Sequence, residues 1–287
     1  MRRTIAAALA LCLLLAGCAA GGASAPNSAE RANIEGIRDR VAAAAQIISR
    51  VNAIIDWQIE NSEKSIEEAD AARQNGETYV QEDDTEEVRQ KQAELGDCLG
   101  TVTAYAGWAS SLRGCGQKSV DLTYEAAAKY FTEVKSALED MADIMAFYFA
   151  FLEAAEPMTG FDAAAYETDM DRIYDLYYAV DEVSRALSQL DCPEFMAQTF
   201  RLYISRLEQF MAILNEQYIG VQLNDPLRLS SGMYMLVRVE QEYYDYGVML
   251  TRDFNLQYGK VGERLGGWVG ELGTELAENC AALLRAM

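Results

Sequence analysis

Histidine is absent from all 287 residues of this chain. Imidazole is the general base that activates serine and cysteine nucleophiles, and it is a common metal ligand. The Glu-x-x-His ligation of di-iron helical bundles also requires it. The absence excludes these reaction classes. We therefore expect a protein that is not an enzyme, with no catalytic residues, no metal site and no cofactor.

Cysteine is scarce as well, and the six that occur show no Cys-x-x-Cys spacing. That spacing is typical of thioredoxin-like redox motifs and zinc knuckles, so neither is predicted. Cys12 and Cys18 lie near the N-terminus. The other four are interpreted as structural disulfides or buried free thiols, and they are Cys98, Cys115, Cys192 and Cys280.

The N-terminus is built like a signal peptide. Two arginines follow Met1, and the apolar run of eleven residues from Ile5 to Leu15 is too short for a bilayer-spanning helix. The segment Leu15-Ala16-Gly17-Cys18 resembles the lipobox of bacterial lipoproteins at all four positions. The resemblance implies a diacylglyceryl group on the thiol of Cys18 and cleavage after Gly17. An ordinary secretory signal with an incidental Cys18 is the alternative.

This signal leads to a prediction of domain organisation and location. Residues 1–17 are the lipoprotein signal peptide, residues 18–28 are a lipidated flexible tether of small and polar residues, and residues 29–287 are a helical-bundle domain. A tether of about ten residues reaches some tens of ångströms at full stretch. We expect a lipid-anchored protein on the extracytoplasmic face of the cell membrane, with its domain near the membrane in the cell envelope.

Basic residues are few compared with acidic ones. Residues 1–17 hold two of the 24 basic residues and none of the 45 acidic ones, so the mature chain has 22 basic and 45 acidic residues and a formal charge of −23. Such a surface repels nucleic acid and anionic lipid headgroups. We expect no nucleic-acid partner, membrane contact through the lipid anchor, and a protein partner in the envelope.

Apolar residues recur three and four apart in seven successive segments after residue 27, and strand signals are almost absent. Gly, Pro or Asp lies where the segments should begin or end. Only four prolines interrupt the chain. The pattern predicts an all-α fold, an up-and-down bundle of about seven long helices in a single elongated domain.

The first predicted helix begins at a capping pair, Asn27 and Glu30, and ends at Asn75-Gly76. Its apolar seam suits either a coiled-coil dimer or a helix lying along its own bundle. In the acidic run that follows, Asp84 and Glu87 can cap the next helix. A calcium loop is the alternative, although the run lacks the alternating Asp spacing of such loops.

Later segments carry further markers. Residues 144–152 are continuously apolar and include Phe147 and Phe151, so we place them at the centre of the bundle, in a helix that closes at Pro157 and Gly160. Asp162 is expected to cap the fourth helix. Proline-containing turns at 191–193 and 224–226 open the fifth and sixth helices.

The last segment carries glycines three and four residues apart, on one stripe of the predicted seventh helix. A smooth glycine face suits close helix packing or, alternatively, a groove in which a partner docks. The glycines are Gly259, Gly262, Gly266, Gly270 and Gly273.

Two clusters combine tyrosines with carboxylates, which can hold cations or stack on sugars. The alternative to a ligand site is that these tyrosines are structural, with their rings packed on the helices and their hydroxyls exposed to solvent. The candidate ligand residues are Tyr174, Tyr177, Tyr178, Glu240, Tyr243, Tyr244 and Tyr246.

Three functions are compatible with the sequence: an anchored helical scaffold or partner-binding protein, a lipoprotein that binds a cationic or sugar-like ligand, and a carboxylate-based cell-wall hydrolase.

The four mature cysteines can be placed by counting helix directions. If neighbouring helices alternate up and down, Cys115 and Cys192 lie at the membrane-side end of the bundle, while Cys98 and Cys280 lie toward the other half. We therefore predict a Cys115–Cys192 disulfide and a second Cys98–Cys280 disulfide. A Cys98–Cys115 bridge is disfavoured because seventeen helical residues span about 25 Å.

Overall fold

The computed structural model describes residues 28–75, 85–159 and 169–287. The predicted signal peptide, the lipidation site Cys18 and the tether as far as residue 27 lie outside these residues. The proposed caps Asp84 and Asp162 lie outside them as well.

All regular secondary structure in the described residues is helical. A 3₁₀ turn, Glu194–Met196, precedes α5, and a π-helical turn, Leu265–Val269, joins α6 to α7. The prediction of an all-α bundle of about seven helices is confirmed. The helices are α1 Ser28–Asn75, α2 Thr85–Ser111, α3 Lys118–Thr159, α4 Asp169–Ser188, α5 Ala197–Leu223, α6 Pro226–Arg264 and α7 Gly270–Ala286.

None of the helices in the described ranges combines the length and the apolar character that a bilayer crossing requires.

The described residues form two compact units. Unit 1 contains 28–53, 94–140 and 261–287, and unit 2 contains 54–75, 85–93, 141–159 and 169–260. Each unit is therefore built from segments that are distant in the sequence.

In unit 1, helix α1 packs against both α2 and α3. The guanidinium of Arg40 on α1 lies 3.9 Å from the ring centroid of Trp108 and 5.7 Å from that of Tyr105, both on α2. The amide of Asn33 donates to the hydroxyl of Tyr124 on α3 at 3.2 Å. The side chains buried between these helices repeat at the spacing that the sequence predicts, among them Ile34, Ile37, Val41, Ala44, Val102, Phe131, Val134, Leu138 and Leu276.

Unit 2 is organised around aromatic rings. Phe147 on α3 lies 5.4 Å from Phe200 on α5 and 5.8 Å from Phe254 on α6, measured between ring centroids. Phe151 is half-buried and contacts Tyr203 at 5.6 Å. The continuous apolar run of α3 therefore packs against two other helices, which is why it shows no single polar face.

The turn between α5 and α6 confirms the role of the 224–226 segment. Asn224 has φ 49°, a left-handed conformation that asparagine tolerates, and it closes α5. The carboxylate of Asp225 accepts hydrogen bonds from the backbone N–H groups of Leu227 and Arg228 at 3.0 and 3.2 Å. Asp225 is thus the N-cap of α6, and Pro226 is its first residue.

Helix α3 includes Pro157 and is described as far as Thr159, and the predicted closing residue Gly160 lies outside the described residues. A proline in the last turn of a helix removes only one hydrogen bond. The junction of the last two helices differs from the prediction. The predicted seventh helix does not follow a loop. It continues α6 through the π-helical turn, in which Gly267 departs from helical geometry with φ −88° and ψ −107°. The two helices therefore meet at a kink without an intervening loop.

Candidate functional site

Four tyrosines on α4 and α5 form a cluster in unit 2, here named the α4–α5 tyrosine surface: Tyr174 and Tyr178, which are exposed, and Tyr177 and Tyr218, which are half-buried. The Tyr174 hydroxyl donates to the Tyr178 hydroxyl at 3.0 Å, and their ring centroids are 4.6 Å apart at an interplanar angle of 66°. Tyr177 stands at 87° to Tyr178, with 5.7 Å between centroids. Tyr218 reaches Tyr174 from α5, also at 5.7 Å.

The exposure of this surface is unusual for large side chains. Tyr174 is 43% and Tyr178 51% exposed. Two leucines that follow Tyr218 in the sequence are more exposed still: Leu223, at the end of α5, is 67% exposed, and Leu227, in the first turn of α6, is 81% exposed. Edge-to-face packing of the tyrosines leaves ring faces open to solvent.

The electrostatic environment of this surface is negative. The hydrogen bond to Tyr178 raises the pKa of the Tyr174 hydroxyl, and nearby Asp175 contributes in the same direction. Asp175 is exposed, as is Glu182 on the same helix. The surface therefore combines open aromatic faces with carboxylates, as the sequence predicts for cation recognition.

The second predicted cluster, on α6, has a different environment because the chain's own arginines cover its rings. The guanidinium of Arg73 lies 4.8 Å from the ring centroid of Tyr244, and the Tyr244 hydroxyl donates to Asp70 at 2.8 Å. Arg206 lies 5.3 Å from the ring centroid of Tyr246. The side chains of Glu240 and Tyr243 lie outside the described residues.

The two clusters do not converge on one site. Tyr174 packs against Tyr218, and Tyr246 packs against Arg206, so both clusters can be located along α5. Twelve residues separate Arg206 from Tyr218, which corresponds to about 18 Å of helix. The α4 tyrosines therefore form a surface of their own.

Sequence reasoning missed Tyr218 and the two arginines. Tyr218 lies 44 positions after Tyr174, and Arg73 lies 171 positions before Tyr244. No local pattern connects residues so far apart, since helical periodicity reports which face is buried but not what covers it.

All four mature cysteines are free thiols, so neither predicted disulfide is formed in this structure. Cys98 and Cys280 are fully buried in unit 1, and Cys115 is exposed in the same unit. Cys192 is half-buried in unit 2. Burial raises the pKa of the Cys192 and Cys280 thiols to about 11, which lowers the fraction of nucleophilic thiolate.

The helix register explains why Cys98 and Cys280 do not pair. Burial raises the pKa of both thiols, and the charge of a nearby α1 arginine opposes it: Arg50 at Cys98 and Arg38 at Cys280. These arginines are twelve residues, or about 18 Å, apart along α1, whereas a disulfide requires Cα atoms within about 7 Å.

The glycine stripe is closely packed at Gly273 and open at Gly259. A Cβ built on Gly273 would lie 2.9 Å from Cε2 of Tyr130, whereas one built on Gly259 would meet nothing within 4 Å. Close approach of α7 to α3 is thus the reason for one glycine of the stripe.

No group of three or more potential metal-ligating side chains occurs among the described residues. Comparison of the chain with protein-family models, with curated proteins and with solved structures found no match in any of the three.

Proposed function

We propose that this protein is a lipid-anchored, extracytoplasmic lipoprotein whose helical bundle binds a protein partner in the cell envelope. The lipobox-like segment ending at Cys18 supports the anchor. The all-helical architecture supports a scaffold or binding role, and the chain contains no histidine for imidazole-based catalysis.

The observation that carries the partner-binding proposal is the α4–α5 tyrosine surface. Tyrosine is enriched at protein interfaces and among the residues that contribute most to binding, because its ring buries a large area at a small entropy cost. Tyr174 and Tyr178 of this surface are exposed, and Leu223 and Leu227, at the turn that follows α5, are exposed too. These open rings favour docking of a partner over enclosure of a small ligand.

Membrane attachment is tested by fractionation and by mass spectrometry of the mature N-terminus. We expect the wild type in the membrane fraction, with a diacylglyceryl-modified Cys18 as the first residue. Cys18→Ala should remain uncleaved after Gly17 and carry no lipid. An unmodified N-terminus elsewhere in the wild type would contradict the anchor.

Partner binding is tested by site-specific photo-crosslinking in intact cells. A benzoylphenylalanine placed at Tyr178 or Leu227 should give the same discrete protein adduct. The matched control is the same probe at Thr103, an exposed position on α2 in unit 1, where we expect no such adduct. Equal adducts at all three positions, or none at Tyr178 and Leu227, would rule out this surface as the binding site.

A further inference from the structure

This chain holds arginine side chains on tyrosine rings that are flanked by carboxylates. Arg73 lies over Tyr244, whose hydroxyl binds Asp70. Arg206 lies over Tyr246 and forms an ion pair with Glu242 at 3.0 Å. In both sites the arginine comes from a different helix than the tyrosine. A guanidinium group stacks on the ring face while the carboxylate compensates its charge.

The α4–α5 tyrosine surface has the same components apart from the arginine. Its tyrosine rings lie beside the exposed carboxylate of Asp175. No Lys or Arg side chain that the structure describes lies over the rings of Tyr174, Tyr177 or Tyr178. Tyr174 and Tyr178 are instead 43% and 51% exposed to solvent.

We propose that the α4–α5 tyrosine surface binds an arginine side chain presented by the protein partner, stacked on Tyr174 and Tyr178. This inference rests on the proposed function and specifies the chemistry of the partner. Arginine fits better than lysine, because its planar and weakly hydrated guanidinium can lie flat on a ring. The charge of −21 for the whole chain favours a basic partner and disfavours nucleic acid and anionic membrane surfaces.

The test measures binding of a fluorescent peptide of alternating arginine and glycine to the full lipidated chain in non-ionic detergent micelles. Two further peptides replace arginine by citrulline, which keeps the planar shape without the charge, or by lysine, which keeps the charge without the plane. We expect the arginine peptide to bind about tenfold more tightly than the citrulline peptide and measurably more tightly than the lysine peptide.

Variants locate the binding site. The Tyr174→Leu/Tyr178→Leu protein should bind the arginine peptide about tenfold more weakly, because two ring faces are lost. The Tyr174→Phe/Tyr178→Phe protein should keep binding within about twofold, since the rings remain. Tyr244→Leu is the matched control, because its ring is already occupied by Arg73, and it should bind like the wild type. Circular dichroism should show the same helical content for every variant.

Two results would overturn the inference. If Tyr174→Leu/Tyr178→Leu binds the peptide as the wild type does at 0.15 M and 0.5 M salt, the attraction comes from the overall negative charge. If lysine and arginine peptides bind equally, the guanidinium is not recognised. Failure of the proposed function has a different signature, which is the loss of the crosslinked adduct at Tyr178 and Leu227 in cells. A partner that still crosslinks while the peptides show no arginine preference contradicts this inference only.

Discussion

Gly273 of α7 lies against the ring of Tyr130 on α3, with so little space that a Cβ on the glycine would approach Cε2, Cζ and the hydroxyl oxygen of the ring to 2.9–3.0 Å. Tyr130 is itself buried and packs on Phe131 at a centroid distance of 5.1 Å. The ring therefore has little freedom to move, and this contact determines how closely the two helices approach in unit 1.

We predict that Gly273→Ala destabilises the protein by about 1 to 3 kcal/mol, because the added methyl group overpacks the contact with Tyr130. Gly259→Ala is the matched control on the same stripe. Its Cβ meets nothing within 4 Å, so the gain in helix propensity should stabilise the protein by up to about 1 kcal/mol. Urea denaturation measures both changes. Equal effects of the two substitutions would contradict the close contact.

A second prediction concerns the hydroxyl of Tyr258, which is buried and has no hydrogen-bond partner among the described residues. An unsatisfied buried hydroxyl costs free energy, so Tyr258→Phe should leave the free energy of unfolding unchanged or raise it by about 1 to 2 kcal/mol. Tyr244→Phe should lower it by about 1 kcal/mol, because the hydrogen bond to Asp70 is lost. If the denaturation midpoints of both variants at pH 7 fall by the same amount, the Tyr258 hydroxyl does have a hydrogen-bond partner.

The third prediction is a loss of stability at alkaline pH. Burial raises the pKa of Tyr130 to about 12 from an unfolded value of about 10. Above pH 10 the unfolded chain loses this proton while the folded chain keeps it, so the free energy of unfolding falls as the pH rises from 10 to 12. This contribution is fully present below pH 10. The loss from this residue should reach roughly 2 kcal/mol at pH 12.

Tyr130→Phe identifies the source of that alkaline loss. The variant has no hydroxyl to ionise, so its melting temperature should fall less steeply than that of the wild type between pH 10 and pH 12. The melting temperature of each protein is expressed relative to its own value at pH 8, which removes the effect of the substitution at neutral pH. Identical slopes for the two proteins would show that other groups cause the transition.

A fourth prediction separates two phenylalanines of the unit 2 core. Phe147 is buried between Phe200 and Phe254, so Phe147→Ala should cost about 3 to 5 kcal/mol. Phe151 is half-buried, and Phe151→Ala should cost less. Phe147→Leu serves as a control that retains most of the volume. A near-neutral Phe147→Ala would place the core of unit 2 elsewhere.

The fifth prediction concerns thiol reactivity. Cys115 is exposed and should react with a maleimide in the native protein. Cys98 and Cys280 are fully buried and should react only after unfolding. Cys115→Ser should abolish the fast native reaction, and peptide mapping without reductant should recover no bridge between the four mature cysteines. Rapid native labelling of Cys98 or Cys280 would contradict their burial.

Local chemistry made several features predictable from the sequence. Apolar residues three and four apart determine an all-α fold, because this spacing places them on one helix face. Asn224, Asp225 and Pro226 determine the α5–α6 turn, because each acts through its own backbone or its nearest N–H groups. The lipobox-like segment predicts the anchor for the same reason, since all its determinants are contiguous.

The tertiary structure alone decided which tyrosines are open and which cysteines can meet. Arg73 and Arg206 reach the α6 tyrosines from other helices, whereas Tyr174 and Tyr178 meet Tyr218 and remain exposed. The π-helical turn after Arg264 joins α6 to α7 at a kink, where the sequence suggested a separate helix. Periodicity specifies which face of a helix is buried, but the identity of the neighbour depends on direction and register, which are settled by contacts between residues far apart in the chain.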